Sequence, residues 1–455
     1  MKTRPSCTIP VLLAVAALAH AAGGQVVLET DNLRLAISDG GMLESLATKP
    51  SGAEYSAVYE RADIYGDRAA GPIAVAYRGN RAFPASQVLR SADRLTVHFS
   101  GTDVAATYQF RQTEHYLAFK LVSLKGDPID RLDLVQLRVR KLGRVGRLIN
   151  LNYDDEFGIC LCAGNVQTDA SMDDRGDYLL MRATAEKEVG LVGTTAVLFG
   201  CPDPRRRFLD VMEIVERDFD LPAGAKHRRL PVQKYSYLWV RPTPENIDQY
   251  VELAKRGGFR VVLFSYTSFT DFPRGGPGHF AWGRNYPNGM ADLKKVTDTI
   301  RRAGLKLGLH IHYDKAVKSD PYVSPVPDDR LHKLRTFTLA AEVDRTAETI
   351  PVQENPGGSA LADGMRILQI GKELVAYESY TTTPTYRFTG CERGHLSTAA
   401  AAHREGDSVG LLDVDTWHSF VRYDQDTDIQ DETARRLAEI YHQTGPYDLI
   451  YFDGA

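Results

Sequence analysis

Two histidines stand two residues apart, His310 and His312 in LKLGLHIHY, and an acidic residue, Asp453, lies between an aromatic and a glycine in YFDGA. Imidazoles at this spacing share one face of an extended strand. There they can donate hydrogen bonds to a polar ligand, supply the first half of a metal site, or be satisfied within the structure. A carboxylate at the mouth of a buried strand is costly to desolvate unless something pairs with it or uses it, and the alternative reading of Asp453 is the N-cap of a following helix. Aromatic side chains supply the third chemistry. The loop SYTSFTDFPRGGPGHFAWGRNYPNG carries Tyr266, Phe269, Phe272, Phe280, Trp282 and Tyr286, with Asp271, Arg274 and His279 between them; Trp239 ends an earlier apolar run and Tyr451 precedes Asp453 by two. Aromatic faces suit the C–H faces of sugar rings, although a loop of this composition can equally fold onto its own aromatics.

These residues need elements that bring them together. From Val26 to about Pro231 short alternating segments such as TYQF and LAFKLV are separated by Asp-Gly, Ser-Gly and Gly-Asn punctuators, with little 3.6-residue periodicity, which predicts an all-β sandwich over 22–231. The pattern changes at Gln233. KYSYLWV is followed by Thr243-Pro244 as a helix start and by Ile247, Tyr250, Val251 and Ala254 on one stripe; FRVVLFSY, a helix with Leu293, Val296 and Ile300 inward, and LKLGLHIHY come next. A last helix carrying Ala434, Leu437, Ala438 and Tyr441 leads into YDLIYFDGA. Continuous apolar strands alternating with helices predict a parallel sheet, and about four such units over 232–335 and 412–455 make an α/β segment with the form of the N-terminal half of a (β/α)8 barrel, a partial TIM barrel. Residues 336–411 read as β again, with Gly371-Lys372 as a hairpin turn, and are expected to form a small inserted β domain. The chain is thus multidomain. On the third strand the apolar Leu307, Leu309 and Ile311 should meet the helices, which leaves His310 and His312 toward the barrel axis.

Composition narrows the classes. The 455 residues are 43% apolar and 25% charged, enough for large cores. The opening, with Lys2, Arg4, an apolar run from Val11 to Ala19 and Ala19-His20-Ala21, has the form of a signal peptide over 1–21, cleaved after Ala21, so a secreted or periplasmic location is expected. Its removal leaves 53 basic against 59 acidic side chains, a net charge of −6, which disfavours a nucleic-acid or anionic-membrane binder. No later stretch has the length of a membrane span. Cys160, Cys162, Cys201 and Cys391 lack zinc-finger spacing and are read as buried thiols or one non-local bridge. Asp424, Asp426 and Asp428 mimic a calcium loop, but Ile429 and Arg435 occupy the positions that need glycine and glutamate, so they are read as acids favoured at a helix start. Arg205-Arg206-Arg207 is read as a solvated turn.

The segment TDNLRLAISDGGMLESLATKPSGAEY resembles the galactose-mutarotase-like domain that precedes the barrel in many glycoside hydrolases. GFRVVLFSYTSF, AGLKLGLHIHY and DLIYFDGA look like the second to fourth strands of the alpha-galactosidase and alpha-fucosidase type of retaining barrel. The resemblance implies a catalytic aspartate at the end of the fourth strand, here Asp453, a carbohydrate substrate, and no metal or cofactor. His310, His312, Trp239, Tyr451 and Trp282 are then the expected sugar-binding residues. In the families resembled the second carboxyl comes from a later strand. The sequence stops two residues after Asp453, so the expectation is an incomplete fragment of an exported retaining glycoside hydrolase, itself inactive. Two other classes stay open: a non-catalytic carbohydrate-binding or surface protein, and a metal-dependent barrel hydrolase with His310 and His312 as ligands.

Overall fold

The computed structural model describes residues 25–57, 71–360 and 362–453. The proposed signal segment 1–21 lies outside them. The chain divides into two compact units between Leu230 and Pro231.

In the first unit, strands Val26–Glu29, Leu33–Ile37 and Leu43–Thr48 form a three-stranded antiparallel sheet, and a second antiparallel sheet runs continuously through twelve strands. One apolar core serves both: Leu28, Leu35 and Leu46 from the small sheet cluster with Phe83, Val97, Leu121, Leu137 and Met181 from the large one. The alternation is clear in Val26–Glu29 and Arg94–Phe99, and burying each large apolar side chain on the inward face contributes about 1.5–3 kcal/mol. The unit is not purely β. Pro204–Asp218 is a 15-residue α-helix, and Arg205–Arg207 occupy its first turn rather than an isolated solvated turn. Proline opens the helix where its missing N–H costs nothing, and Phe208 and Val215, seven residues apart, bury against Cys160, Val197, Phe199 and Cys201. The four cysteines of the described residues are free thiols, with Cys160, Cys201 and Cys391 buried.

The second unit is built around four parallel strands in sequence order: Tyr237–Val240, Val261–Ser265, Lys306–Ile311 and Leu449–Phe452. Helices Ile247–Arg256, Met290–Arg302 and Ile429–Thr444 come between them in the chain. The first helix starts at Ile247, three residues after the expected Pro244, because the Asn246 side chain accepts from the Thr243 N–H (2.6 Å) and holds the preceding turn. Phe264, Leu307, Leu309 and Ile311 form one core with Ile247, Val296, Ile300 and Ile440 of the helices, which covers one face of the sheet. Asp431 and Glu432 sit in the first turn of the last helix, and Glu432 and the preceding Asp428 both pair with Arg330, so this acidic run is tied to a helix N-terminus.

Between the third strand and the last helix, residues Lys333–Thr338, Ser408–Leu412, Ile367–Ile370 and Glu373–Ala376 form a four-stranded sheet with its own core of Phe337, Leu368, Val375, Phe388 and Leu411. Gly371-Lys372 is the two-residue turn of its hairpin, and Gly371 takes φ +55° at the first central position, as a type II′ turn requires.

Gly308 lies in the third parallel strand, where a Cβ would come within 2.9 Å of Leu263 Cδ1 and 3.3 Å of the Leu263 backbone. Gly308→Ala should therefore cost about 1–3 kcal/mol through overpacking, read as a lower denaturant midpoint. An unchanged midpoint would mean that Leu263 repacks without strain.

Candidate active site

Because pleated strands alternate faces, one row of side chains points away from the helices. Parallel pairing sets Trp239 beside Leu263, Ser265 beside His310, and His310 beside Tyr451. The ladder runs one residue further, since the Asp453 N–H donates to the Ile311 carbonyl at 3.0 Å. That bond fixes the Asp453 backbone next to the histidine strand.

The side chains converge. His310 Nε2 lies 3.0 Å from Asp453 Oδ2, and His310 Nδ1 lies 3.0 Å from the Ser265 hydroxyl oxygen, so the ring is held at both nitrogens. His312 Nε2 is 3.7 Å from the same carboxylate oxygen, beyond hydrogen-bond length. One imidazole thus anchors Asp453 and the other faces it. Trp239 lies against the His310 ring with centroids 4.9 Å apart, and Tyr451 lies 5.1 Å from that ring and edge-on to Trp239 at 5.9 Å. His310 is buried, but Trp239 is 44% exposed, Tyr451 41%, and the Asp453 side chain 45%. The cluster therefore presents a carboxylate and two aromatic rings to solvent from a buried imidazole base.

Tyr266, immediately after the second strand, stacks on His310 and meets His312 edge-on at 5.2 Å; its phenol is pushed well up by burial, with the charges of Asp453 and Asp415 adding to it. Behind His312 lies Phe420, its ring 5.2 Å away, and beyond it the fully buried Lys315. The Lys315 ammonium sits 3.8 Å from Asp314 and 4.0 Å from Asp415, both buried. Burial raises the Asp314 carboxyl against the pull of Lys315. Burial, then Lys315, then His310 hold His312 down to about 4, so at neutral pH it is an uncharged imidazole.

His310, His312, Trp239, Tyr451 and Asp453 are thus brought into one cluster, but Trp282 is not recorded in contact with it. Its ring packs on Phe269 at 5.6 Å beneath the Arg436 guanidinium at 5.2 Å, and it lines the core on the helical side. The loop from 267 to 289 turns inward on Phe269, Phe280 and Tyr286, which are fully buried, and carries Trp282 with them. Reading residue types missed Ser265, Lys315 and Phe420, and grouped Tyr266 with the loop. Ser265 ends the second parallel strand and Tyr266 follows it, the same signal that marked His310. Lys315 and Phe420 lie on a two-stranded antiparallel pair, Lys315–Val317 with Phe420–Arg422, that no local periodicity announces.

Among solved structures the chain is similar to the alpha-N-acetylgalactosaminidase NagBb from Bifidobacterium bifidum bound to GalNAc, at 12% identity and a TM-score of 0.47 over 94% of this chain and 69% of that one. It is also similar to the alpha-galactosidase from Lactobacillus brevis (12% identity, TM-score 0.37, 70% and 59%) and to the GH36 alpha-galactosidase AgaA from Geobacillus stearothermophilus (11%, 0.36, 69% and 60%). The chain spans about three fifths of the length of both alpha-galactosidases. No family model and no curated protein matches it.

The state of His312 has a measurable consequence. An unfolded histidine titrates near its ordinary 6.5 and the folded one near 4, so between those values the unfolded chain binds more protons. The stability gained by keeping the ring neutral is complete above about pH 6.5 and drains as pH falls toward 4, by about 3 kcal/mol at most. Urea midpoints of the wild type should fall over that interval, and those of His312→Asn should fall less. Parallel slopes would show that the folded ring is already free to protonate.

Proposed function

We propose that this chain carries the nucleophile of a retaining glycoside hydrolase acting on poly- or oligosaccharides, with Asp453 as the attacking group. The observation that supports the reading is a partly exposed carboxylate at the C-terminal end of the fourth parallel strand, tethered by a buried histidine and flanked by the exposed rings of Trp239 and Tyr451. C-terminal strand ends are where barrel enzymes hold their reacting groups. In this reading the four strands are the first half of a (β/α)8 barrel, and the segment 1–21 directs export to the periplasm or medium.

The residues divide the work. The Asp453 carboxylate attacks the anomeric carbon while the bond to the leaving oxygen breaks, giving a covalent glycosyl ester that water then hydrolyses. His310, donating from Nε2 and accepting from the Ser265 hydroxyl at Nδ1, keeps the carboxylate aimed. Trp239 and Tyr451 offer flat faces to the sugar, and neutral His312 offers a ring nitrogen to a hydroxyl. The leaving oxygen needs a proton from a second carboxyl ~5 Å from the first, and the proposal assigns that group to a later strand of the barrel.

A substrate whose leaving group needs no proton tests the nucleophile alone. An activated fluorosugar, with fluoride or dinitrophenolate as leaving group, should ester-link to Asp453, and mass spectrometry of the digested chain should find the adduct on that peptide. Asp453→Asn should lose labelling by roughly a thousandfold or more, in line with removal of a nucleophile. Labelling elsewhere, or at an unchanged rate in the variant, would refute the assignment. Sugar binding without any labelling would favour the non-catalytic carbohydrate-binding reading instead.

A further inference from the structure

We propose that His310 Nε2, His312 Nε2 and the Asp453 carboxylate form a three-ligand seat for a first-row divalent cation of the zinc class. The inference does not rest on the glycosidase reading, because it assigns the same carboxylate oxygen to a different electrophile.

The distances are those of a coordination shell. Around a zinc ion with bonds of 2.0–2.1 Å, tetrahedral ligand atoms stand roughly 3.3–3.4 Å apart. Here one oxygen, Asp453 Oδ2, is 3.0 Å from His310 Nε2 and 3.7 Å from His312 Nε2, and the three ligand atoms all lie within 4.8 Å of one another. Small shifts of an exposed aspartate side chain equalise the edges, while both imidazoles stay fixed on or beside one strand.

His312 provides the independent observation. It is 8% exposed, its Nδ1 is buried without a hydrogen-bond partner, and its Nε2 is too far from Asp453 to donate to it. With the proton of the neutral ring on Nδ1, the Nε2 lone pair faces a carboxylate oxygen 3.7 Å away, a repulsive arrangement unless something between the two uses both lone pairs. A cation does. His310 has the complementary feature: its Nδ1 meets the Ser265 hydroxyl at 3.0 Å, and a proton on that nitrogen leaves Nε2 as a bare donor, the usual outer-shell arrangement for a metal-bound histidine. Metal entry then moves the single His310 proton from Nε2, where it bridges to Asp453, to Nδ1, where it is donated to the Ser265 hydroxyl, and the ring stays neutral.

Donor type selects the class of ion. Two imidazoles and one carboxylate suit zinc, cobalt or nickel and lack the oxygen count that calcium or magnesium requires. The cation whose charge reaches His312 is Lys315, and it is opposed by Asp314 and Asp415 at 3.8 and 4.0 Å. Of the remaining neighbours, Tyr266, Phe420, Trp239 and Tyr451 are aromatic and carry no charge at neutral pH.

Cobalt(II) titrated into the tag-free chain reads coordination directly. The expected result is one equivalent of bound cobalt with the intense visible d–d bands of a four-coordinate ion, displaced by zinc. His310→Ala and His312→Ala should each weaken binding by at least about a hundredfold, and Ser265→Ala by about ten- to a hundredfold, with unchanged far-UV circular dichroism. No visible bands, weak six-coordinate spectra, or affinities indifferent to the histidine variants would overturn the proposal. The fluorosugar experiment separates the two readings. Labelling of Asp453 that zinc blocks and a chelator restores supports both; labelling untouched by zinc overturns the metal seat and leaves the nucleophile; cobalt bound as above with no labelling at any metal level leaves the seat and removes the nucleophile.

Discussion

The arrangement depends on the register of the third and fourth parallel strands. His310 pairs with Tyr451, and the Asp453 N–H reaches the Ile311 carbonyl, so the carboxylate can only rise beside the His310 ring. Side chains alternate with a period of two. A slip of one residue would turn Tyr451 and Asp453 toward the helices and bring Ile450 and Phe452 to the imidazoles. That slip is resisted by the core, because Leu307, Leu309 and Ile311 already fill the helical face with Val296, Ile300 and Ile440. Packing on one face therefore enforces chemistry on the other. Gly308 belongs to the same constraint, as its missing side chain gives Leu263 room on the inward face.

The electrostatics behind the cluster follow from burial. Lys315 is almost wholly removed from water, and its position between Asp314 and Asp415 is the condition on which a buried ammonium is tolerated. The Asp314 Oδ1 and Asp415 Oδ2 atoms that face it are buried and make no hydrogen bond. Their nearest titratable neighbour across Phe420 is His312, which a positive charge disfavours protonating. The result is a pair of histidines with unequal roles, one hydrogen-bonded at both nitrogens and one neutral and underused.

Parts of this were legible in residue order and parts were not. Continuous apolar strands and helical stripes at Ile247, Val296 and Ile300 announce themselves because burial on one face leaves a periodic trace. The inward aim of His310 and His312 follows from the same trace read in reverse. The helix Pro204–Asp218 escaped because three consecutive arginines mask a stripe whose buried apolar members are Pro204, Phe208 and Val215. Trp282 shows the opposite failure: its residue type suited a sugar platform, but the loop satisfied its aromatics internally. Lys315, Asp415 and Phe420 were invisible because the third strand's continuation and the return from the inserted β module meet only in three dimensions.

A single oxygen of Asp453 faces two imidazole nitrogens, and three electrophiles can claim it: the proton on His310 Nε2, a divalent cation, or an anomeric carbon. The proton is the weakest claimant, since the hydrogen bond it makes leaves the carboxylate negative and reactive. A cation would neutralise that charge, consume the lone pairs of both histidines and leave the aspartate unable to attack carbon. The carbon electrophile needs Trp239 and Tyr451 to position it, whereas the cation needs neither ring. The exposed aromatics therefore argue for a sugar, and the underused His312 nitrogens argue for a metal. The two observations come from opposite sides of the same carboxylate, so occupancy of this oxygen, rather than the fold around it, decides which chemistry the cluster performs.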